Sequence, residues 1–137
     1  MSELLLVDTS ISVPLVVADH EHHEAFSERV AHCEVGLSGH AAFETFSVLT
    51  RLPAPLRRSP ATVARIIGSS FPKSVFLSPE GARSLLGVLA RGSIAGGAIY
   101  DALVGAAAAE AGIRLLSADR RAADTYKLLD VEFELLT

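Results

Sequence analysis

Short apolar runs alternate along this chain with longer stretches that carry helix punctuation. The first run, Glu3 to Asp8 (ELLLVD), is apolar at consecutive rather than alternate positions and ends on an acid, the pattern of a strand buried on both faces. Similar runs span Val35 to Ser38, Ser74 to Ser78, Arg114 to Ser117 and Val131 to Leu136. Between them, Asp19 stands as the cap of a helix over residues 20–33, and Ser59-Pro60 and Ser78-Pro79 each place a cap residue before proline at a first helical position. Pro53 and Pro55 end a helix of about residues 40–51, Gly92, Gly96 and Gly97 form a joint before a helix of about residues 98–111, and Asp8 and Asp119 each precede a further helix. Alternation of this kind predicts a three-layer α/β/α sandwich with a mainly parallel central sheet.

Composition narrows the picture. A chain of 137 residues, 50% hydrophobic and 20% charged, has apolar material for one core, so residues 1–137 are expected to form a single domain rather than a disordered segment. The longest apolar stretch, Ala98 to Leu116, is interrupted by Asp101, Glu110 and Arg114, which argues against a membrane span. The start, Met1-Ser2-Glu3 and then a short apolar run, lacks the basic opening and long apolar core of a signal peptide, so a cytoplasmic protein is expected. Cys33 is the only cysteine, which excludes an internal disulfide and a cysteine-cluster zinc site; it reads as a structural thiol.

The net charge of −4 hides a strong asymmetry. Residues 1–50 hold eight acids against Arg29 alone, whereas residues 51–99 hold seven bases against Glu80 alone. A basic segment of this kind is either a solvated face or a footprint for phosphate, and Arg57 and Arg58, in a loop flanked by Pro55 and Pro60, are the candidate RNA contacts.

Four acids carry the candidate chemistry. In open parallel sheets the ligand site lies outside the carboxyl ends of the strands, where Asp8 and Asp119 fall; taken singly, each is equally a helix cap. Asp101 is the one charge in the turns around AIYDALVG, and no lysine or arginine lies within one helical turn, so its partner must be distant in sequence. Glu44 is the one acid between His40 and Leu52, and an exposed position on an amphipathic helix would account for it equally well. Together, four carboxylates converging without cations would repel one another, which implies a hard divalent cation, Mg²⁺ or Mn²⁺, and phosphodiester hydrolysis. Asp19-His20-Glu21-His22-His23-Glu24 reads as a solvated helix start rather than a zinc site, and Gly96-Gly97 lacks the spacing and lysine of a phosphate loop.

The order and spacing of these pieces resemble the PIN-domain nucleases, in particular the VapC toxins of type II toxin–antitoxin systems. The resemblance rests on Leu6-Val7-Asp8-Thr9-Ser10, on Glu44 with Leu49 and Arg51, on Gly96-Gly97-Ala98-Ile99-Tyr100-Asp101-Ala102, and on Leu115-Leu116-Ser117-Ala118-Asp119-Arg120-Arg121. One departure is Tyr100, where histidine is frequent in the family. The resemblance implies a Mg²⁺- or Mn²⁺-dependent endoribonuclease leaving a 5′-phosphate and a 3′-hydroxyl, inhibited by a cognate VapB-type antitoxin and usually a homodimer. Asp8, Asp101 and Asp119 would hold the metal, Glu44 would be a further ligand or the group that deprotonates the attacking water, and Ser10 and Ser117 would tether a carboxylate. The alternatives are a receiver-like phosphoacceptor module and a PIN fold that only binds RNA or a partner. A receiver would want paired acids after the first strand and a lysine after a late strand, whereas only Asp8 closes the first strand and Lys127 falls within a predicted helix.

Overall fold

The computed structural model describes residues 2–137. Strands β1 (Glu3–Val7), β2 (Cys33–Leu37), β3 (Leu115–Ser117) and β4 (Phe133–Leu135) form one sheet in the order β2-β1-β3-β4. All three pairings are parallel, with Leu5 opposite Val35, Leu6 opposite Leu115, and Leu116 opposite Glu134. Parallel strands need crossovers, and seven helices among the described residues supply them: α1 (Thr9–Val16), α2 (His23–Arg29), α3 (Ala41–Thr50), α4 (Pro60–Ser70), α5 (Pro79–Arg91), α6 (Ala98–Ala111) and α7 (Arg120–Leu128). Among the described residues no helix is long and apolar enough to cross a membrane.

The sheet is central because successive residues of β1 face opposite layers. Leu5 and Val7 join Ile11, Phe26, Leu37 and Phe71 in one core cluster, while Leu6 joins Ala41, Val104, Leu115 and Tyr126 in the other. Leu5, Leu6 and Val7 are fully buried, and each such side chain contributes about 1.5–3 kcal/mol over an exposed one. That accounts for an uninterrupted apolar run.

Two expected elements differ. The run Ser74 to Ser78 makes only an isolated parallel bridge, Val75 to Ser38. The Ser74 hydroxyl accepts from Leu37 N (2.9 Å) and donates to Phe71 O (2.8 Å), so a side chain occupies a ladder position that a strand would need for its backbone. The helix expected over residues 20–33 is confined to α2, and Asp19 does not cap it: His22 holds that position without a side-chain bond. Turns through His20 and His23 use the first residues, and the chain must already be extended at Cys33 to pair with Glu3. The other caps are formed as expected, with Ser59 accepting from Thr62 N and Ser78 from Gly81 N.

One crossing positions the site. Just after β2, Ser38 Oγ donates to Val104 O of α6 (2.7 Å), and Gly39 follows at φ +53°. A Cβ on Gly39 would lie 2.9 Å from the Ala107 Cβ and 3.0 Å from Leu103 O, so only glycine lets the end of the sheet meet α6 so closely. Asp101 lies one turn before that contact.

Candidate active site

The carboxyl ends of β1 and β3 are adjacent, and each continues into a helix through an aspartate. Asp8 caps α1 by accepting from Ser10 N (3.1 Å), and Asp119 caps α7 by accepting from Arg121 N (2.9 Å) and Ala122 N (3.3 Å). The cap role considered from sequence therefore exists for both, alongside whatever chemistry they perform. Two serines join the turns. Ser10 Oγ donates to Asp8 Oδ1 and accepts from Ala118 N (2.7 Å), while Ser117 Oγ accepts from Asp119 N (3.1 Å). The turn after one strand is thus bolted to the turn after the other.

Glu44 reaches the same place from α3 and Asp101 from the first turn of α6. Asp8, Thr9, Ser10, Glu44, Asp101, Val104, Asp119 and Tyr126 surround one small cavity of about 40 Å³, room for a water or a single small ion. Outside it opens a cleft of about 600 Å³, lined by Glu44, Asp101 and Asp119 and also by His40, Arg51, Tyr100 and Arg121. All four sequence-chosen acids therefore face one hollow, delivered by four different helix starts.

Burial and the neighbouring charges both act on these carboxyls. Burial, then the charges of Asp119, Glu44 and Asp8, push the Asp101 carboxyl up to about 6, with Arg121 the opposing influence. Burial also raises Asp8, against the hydroxyls of Ser10, Ser117 and Tyr126, which favour its charged form. Among the described residues no three histidine, cysteine or acidic side chains are drawn together as a closed metal-holding group. The carboxylates line the hollow from four sides of the turn cluster. The donor set nevertheless suits a hard cation: every acid offers oxygen, and Mg²⁺ commonly takes one or two carboxylates and keeps its waters. The His20 to His23 stretch is structural, with His22 stacked on Phe26 at 5.1 Å and His23 Nδ1 bonded to Pro14 O (2.8 Å).

Sequence reasoning missed Tyr126, and it gave no place in the site to Arg51 or Arg121, although both stand in the motifs it used. Tyr126, fully buried on the inner face of α7, donates its hydroxyl to Asp8 Oδ2 (2.8 Å). Its position beside Ala122 and Ala123 signals burial, and a buried phenol needs a hydrogen-bond partner, but nothing local names Asp8. Burial and the charge of Asp8 hold the phenol protonated, so it remains a donor. Arg51 and Arg121 are the basic side chains that line the cleft. Arg57 and Arg58 do not; they lie in the loop between α3 and α4, where Arg57 Nε donates to Leu52 O and Arg58 Nη1 to Leu56 O, both 2.8 Å.

Comparison with known proteins agrees with this geometry. The family model of the PIN domain matches residues 5–128. The chain is 47% identical over 131 residues to Ribonuclease VapC27 of Mycobacterium tuberculosis, covering 96% of each protein. It is 43% identical over 136 residues to Ribonuclease VapC40 of the same species, covering 98% of this chain and 100% of that one. Among solved structures, VapBC2 of Rickettsia felis bound to a DNA fragment from its promoter superposes with a TM-score of 0.69 at 14% identity, covering 98% of this chain and 99% of that one. At that identity the likeness concerns the fold, and the two ribonucleases carry the family assignment. The chain belongs to the PIN-domain family and, within it, to the VapC ribonucleases.

Proposed function

We propose that this protein is the toxin of a type II toxin–antitoxin pair, a single-domain, cytoplasmic endoribonuclease that hydrolyses RNA phosphodiester bonds with the help of Mg²⁺ or Mn²⁺. The observation that carries this reading is the set of Asp8, Glu44, Asp101 and Asp119 around one cavity of ion size, open to a cleft wide enough for a nucleotide. When bound, the cation would supply Lewis-acid activation of water and neutralise charge developing on the phosphate.

Asp8, Asp101 and Asp119 would hold it. Glu44, at the mouth of the cavity and within 3.7 Å of His40 Nε2, would orient the attacking water and take its proton. Ser10 and Tyr126 fix the two oxygens of Asp8, and Ser117 fixes the backbone that aims Asp119. Such outer partners typically matter ten- to a hundred-fold in related sites. Arg51 and Arg121 would bind substrate phosphates from the sides of the cleft.

A VapB-type antitoxin and a second copy of this chain are the partners this reading assigns; VapBC2 of Rickettsia felis, named for such a pair, shares the fold. A receiver-like role fits poorly, because Lys127 is exposed in the last turn of α7 rather than following a strand. Incubation of the antitoxin-free protein with total RNA, tRNA and rRNA, with Mg²⁺ or with chelator, tests the proposal. Discrete cleavage products that require the metal are expected; intact RNA under both conditions would reject it.

A further inference from the structure

Outward from the carboxylates, four aromatic rings stand in a row. Tyr100, the residue before Asp101, lies nearly face to face with His40, centroids 5.0 Å apart at 25°. His40 neighbours Phe43 at 6.5 Å, and Phe43 neighbours Phe76 at 6.0 Å. Tyr100, Phe43 and Phe76 are 52%, 64% and 58% exposed. A solitary exposed phenylalanine needs no explanation, but a contiguous row that begins inside a polar cleft does. His40 belongs both to that cleft and to a second groove of about 250 Å³ bounded by Phe43, Phe76, Leu77 and Leu103. The two hollows share this ring.

We propose that the row is a base-stacking platform, on which unpaired bases flanking the scissile phosphate of an RNA strand stack against Tyr100, Phe43 and Phe76. The proposal rests on the ribonuclease reading and specifies how its substrate is gripped. Every nucleobase has a π-face, so aromatic side chains hold single strands with little regard to sequence. The four rings carry no acid themselves, while Arg51 and Arg121 line the adjoining cleft as complements to phosphate. Ion-sized cavity, arginine-lined cleft and aromatic groove follow one another in the order in which a reacting phosphate, its nucleotide and the neighbouring base would meet them.

The test uses single-stranded RNA oligonucleotides carrying 2-aminopurine at successive positions, bound in chelator so that nothing is cut. Fluorescence quenching at one or two adjacent positions is expected with the parent protein. Phe43→Ala, Phe76→Ala and Tyr100→Ala should each weaken binding roughly tenfold, within the range measured for losing one base–aromatic stack, while Tyr100→Phe keeps the ring and retains binding. With Mg²⁺ present, the loss in kcat/KM for Phe43→Ala and Phe76→Ala should fall on KM, because neither ring reaches the reacting atoms. Absence of quenching with the parent, or parental binding by all three alanine variants, would overturn the platform. So would Phe43→Ala and Phe76→Ala variants that halve the mass in sedimentation while each protomer binds RNA as before, since the row would then join copies of the chain. A parent that cuts RNA without quenching the probe defeats the platform alone, and a parent that quenches it but never cuts defeats the ribonuclease reading alone.

Discussion

The four carboxylates divide into two pairs with different debts to the fold. Asp8 and Asp119 accept backbone N–H groups as helix caps, and Asp8 also receives two hydroxyls. Asp101 has no hydrogen-bond or ion-pair partner among the described residues, and Glu44 has only His40, at 3.7 Å. The first pair would earn its place in any protein with these turns. The second lies in the first turns of α3 and α6 without capping them, and burial with three like charges nearby works against Asp101. A protein that places an uncompensated carboxylate there has a use for it beyond stability, so Asp101 and Glu44 are the more informative functional markers.

The largest expected effect separates the pairs directly. Asp101→Asn and Glu44→Gln should each reduce RNA cleavage by at least about a hundredfold, the low end of what a positioned acid–base group contributes. In chelator Asp101→Asn should melt at or above the parental temperature, because removing one charge relieves repulsion. A variant that melts markedly lower yet cuts at the parental metal-dependent rate would end the distinction. Mn²⁺ titration by calorimetry sharpens it further: weaker binding is expected in Asp8→Asn and Asp101→Asn, and unchanged affinity in both would remove the metal from the site.

The capping pair should show the opposite balance. Asp119→Ala is expected to lower stability by about 1 kcal/mol and to abolish cleavage, whereas Asp119→Asn, which can still cap, should restore stability without restoring activity. Asp8→Ala should cost more, since the buried hydroxyl of Tyr126 would be left without its acceptor. Urea unfolding beside a cleavage assay measures both, and an alanine variant as stable as the parent would show that these caps are dispensable.

Tyr126→Phe is a smaller perturbation of the same kind. Losing its donor should destabilise the chain by about 1–2 kcal/mol and raise the Asp8 carboxyl further, with cleavage reduced about tenfold. Parental activity and stability in this variant would reduce Tyr126 to packing.

The smallest effect is a pH dependence. The Asp101 carboxyl rises from 3.8 to about 6 on folding, so the folded chain binds its proton more tightly than the unfolded one. Its penalty is absent below about pH 4, grows as pH rises towards 6 and is complete above it. Discounted for partial exposure, the penalty is about 1 kcal/mol. Subtracting the Asp101→Asn stability profile from the parental one in chelator should isolate this loss between pH 4 and 6, and parallel profiles would contradict it.

Much of this site was legible in the linear chain for reasons that differ residue by residue. Asp8 and Asp119 announce themselves because an acid ending an apolar strand and preceding a helix sits where parallel sheets expose their loops. Asp101 is conspicuous because its alanine-rich helix offers no charge to answer it. Tyr126 stayed hidden because it occupies an ordinary buried position, and its partner lies 118 residues earlier. The basic segment was legible only as a region. Seven cations in residues 51–99 mark a region, but of these only Arg51, just beyond α3, lines the cleft, while Arg57 and Arg58 bond to their own loop.

The sequence by itself determined the layered parallel architecture and the helix caps at Ser59 and Ser78, because each is written in local periodicity or in a residue's immediate neighbours, and it singled out the four acids by their joint order and spacing rather than by any one of them. It misjudged residues 74–78, whose β-like pattern was overridden when the Ser74 hydroxyl took the backbone donor that a longer ladder would have used. Only the tertiary structure decided that four carboxylates from four helix starts share one hollow, that Ser10 joins the turns after β1 and β3, and that Tyr100, His40, Phe43 and Phe76 align beside it. Those relations depend on contacts between residues up to more than a hundred positions apart, and such contacts are set by how the sheet brings its strand ends and helix starts together, which no short window of sequence contains.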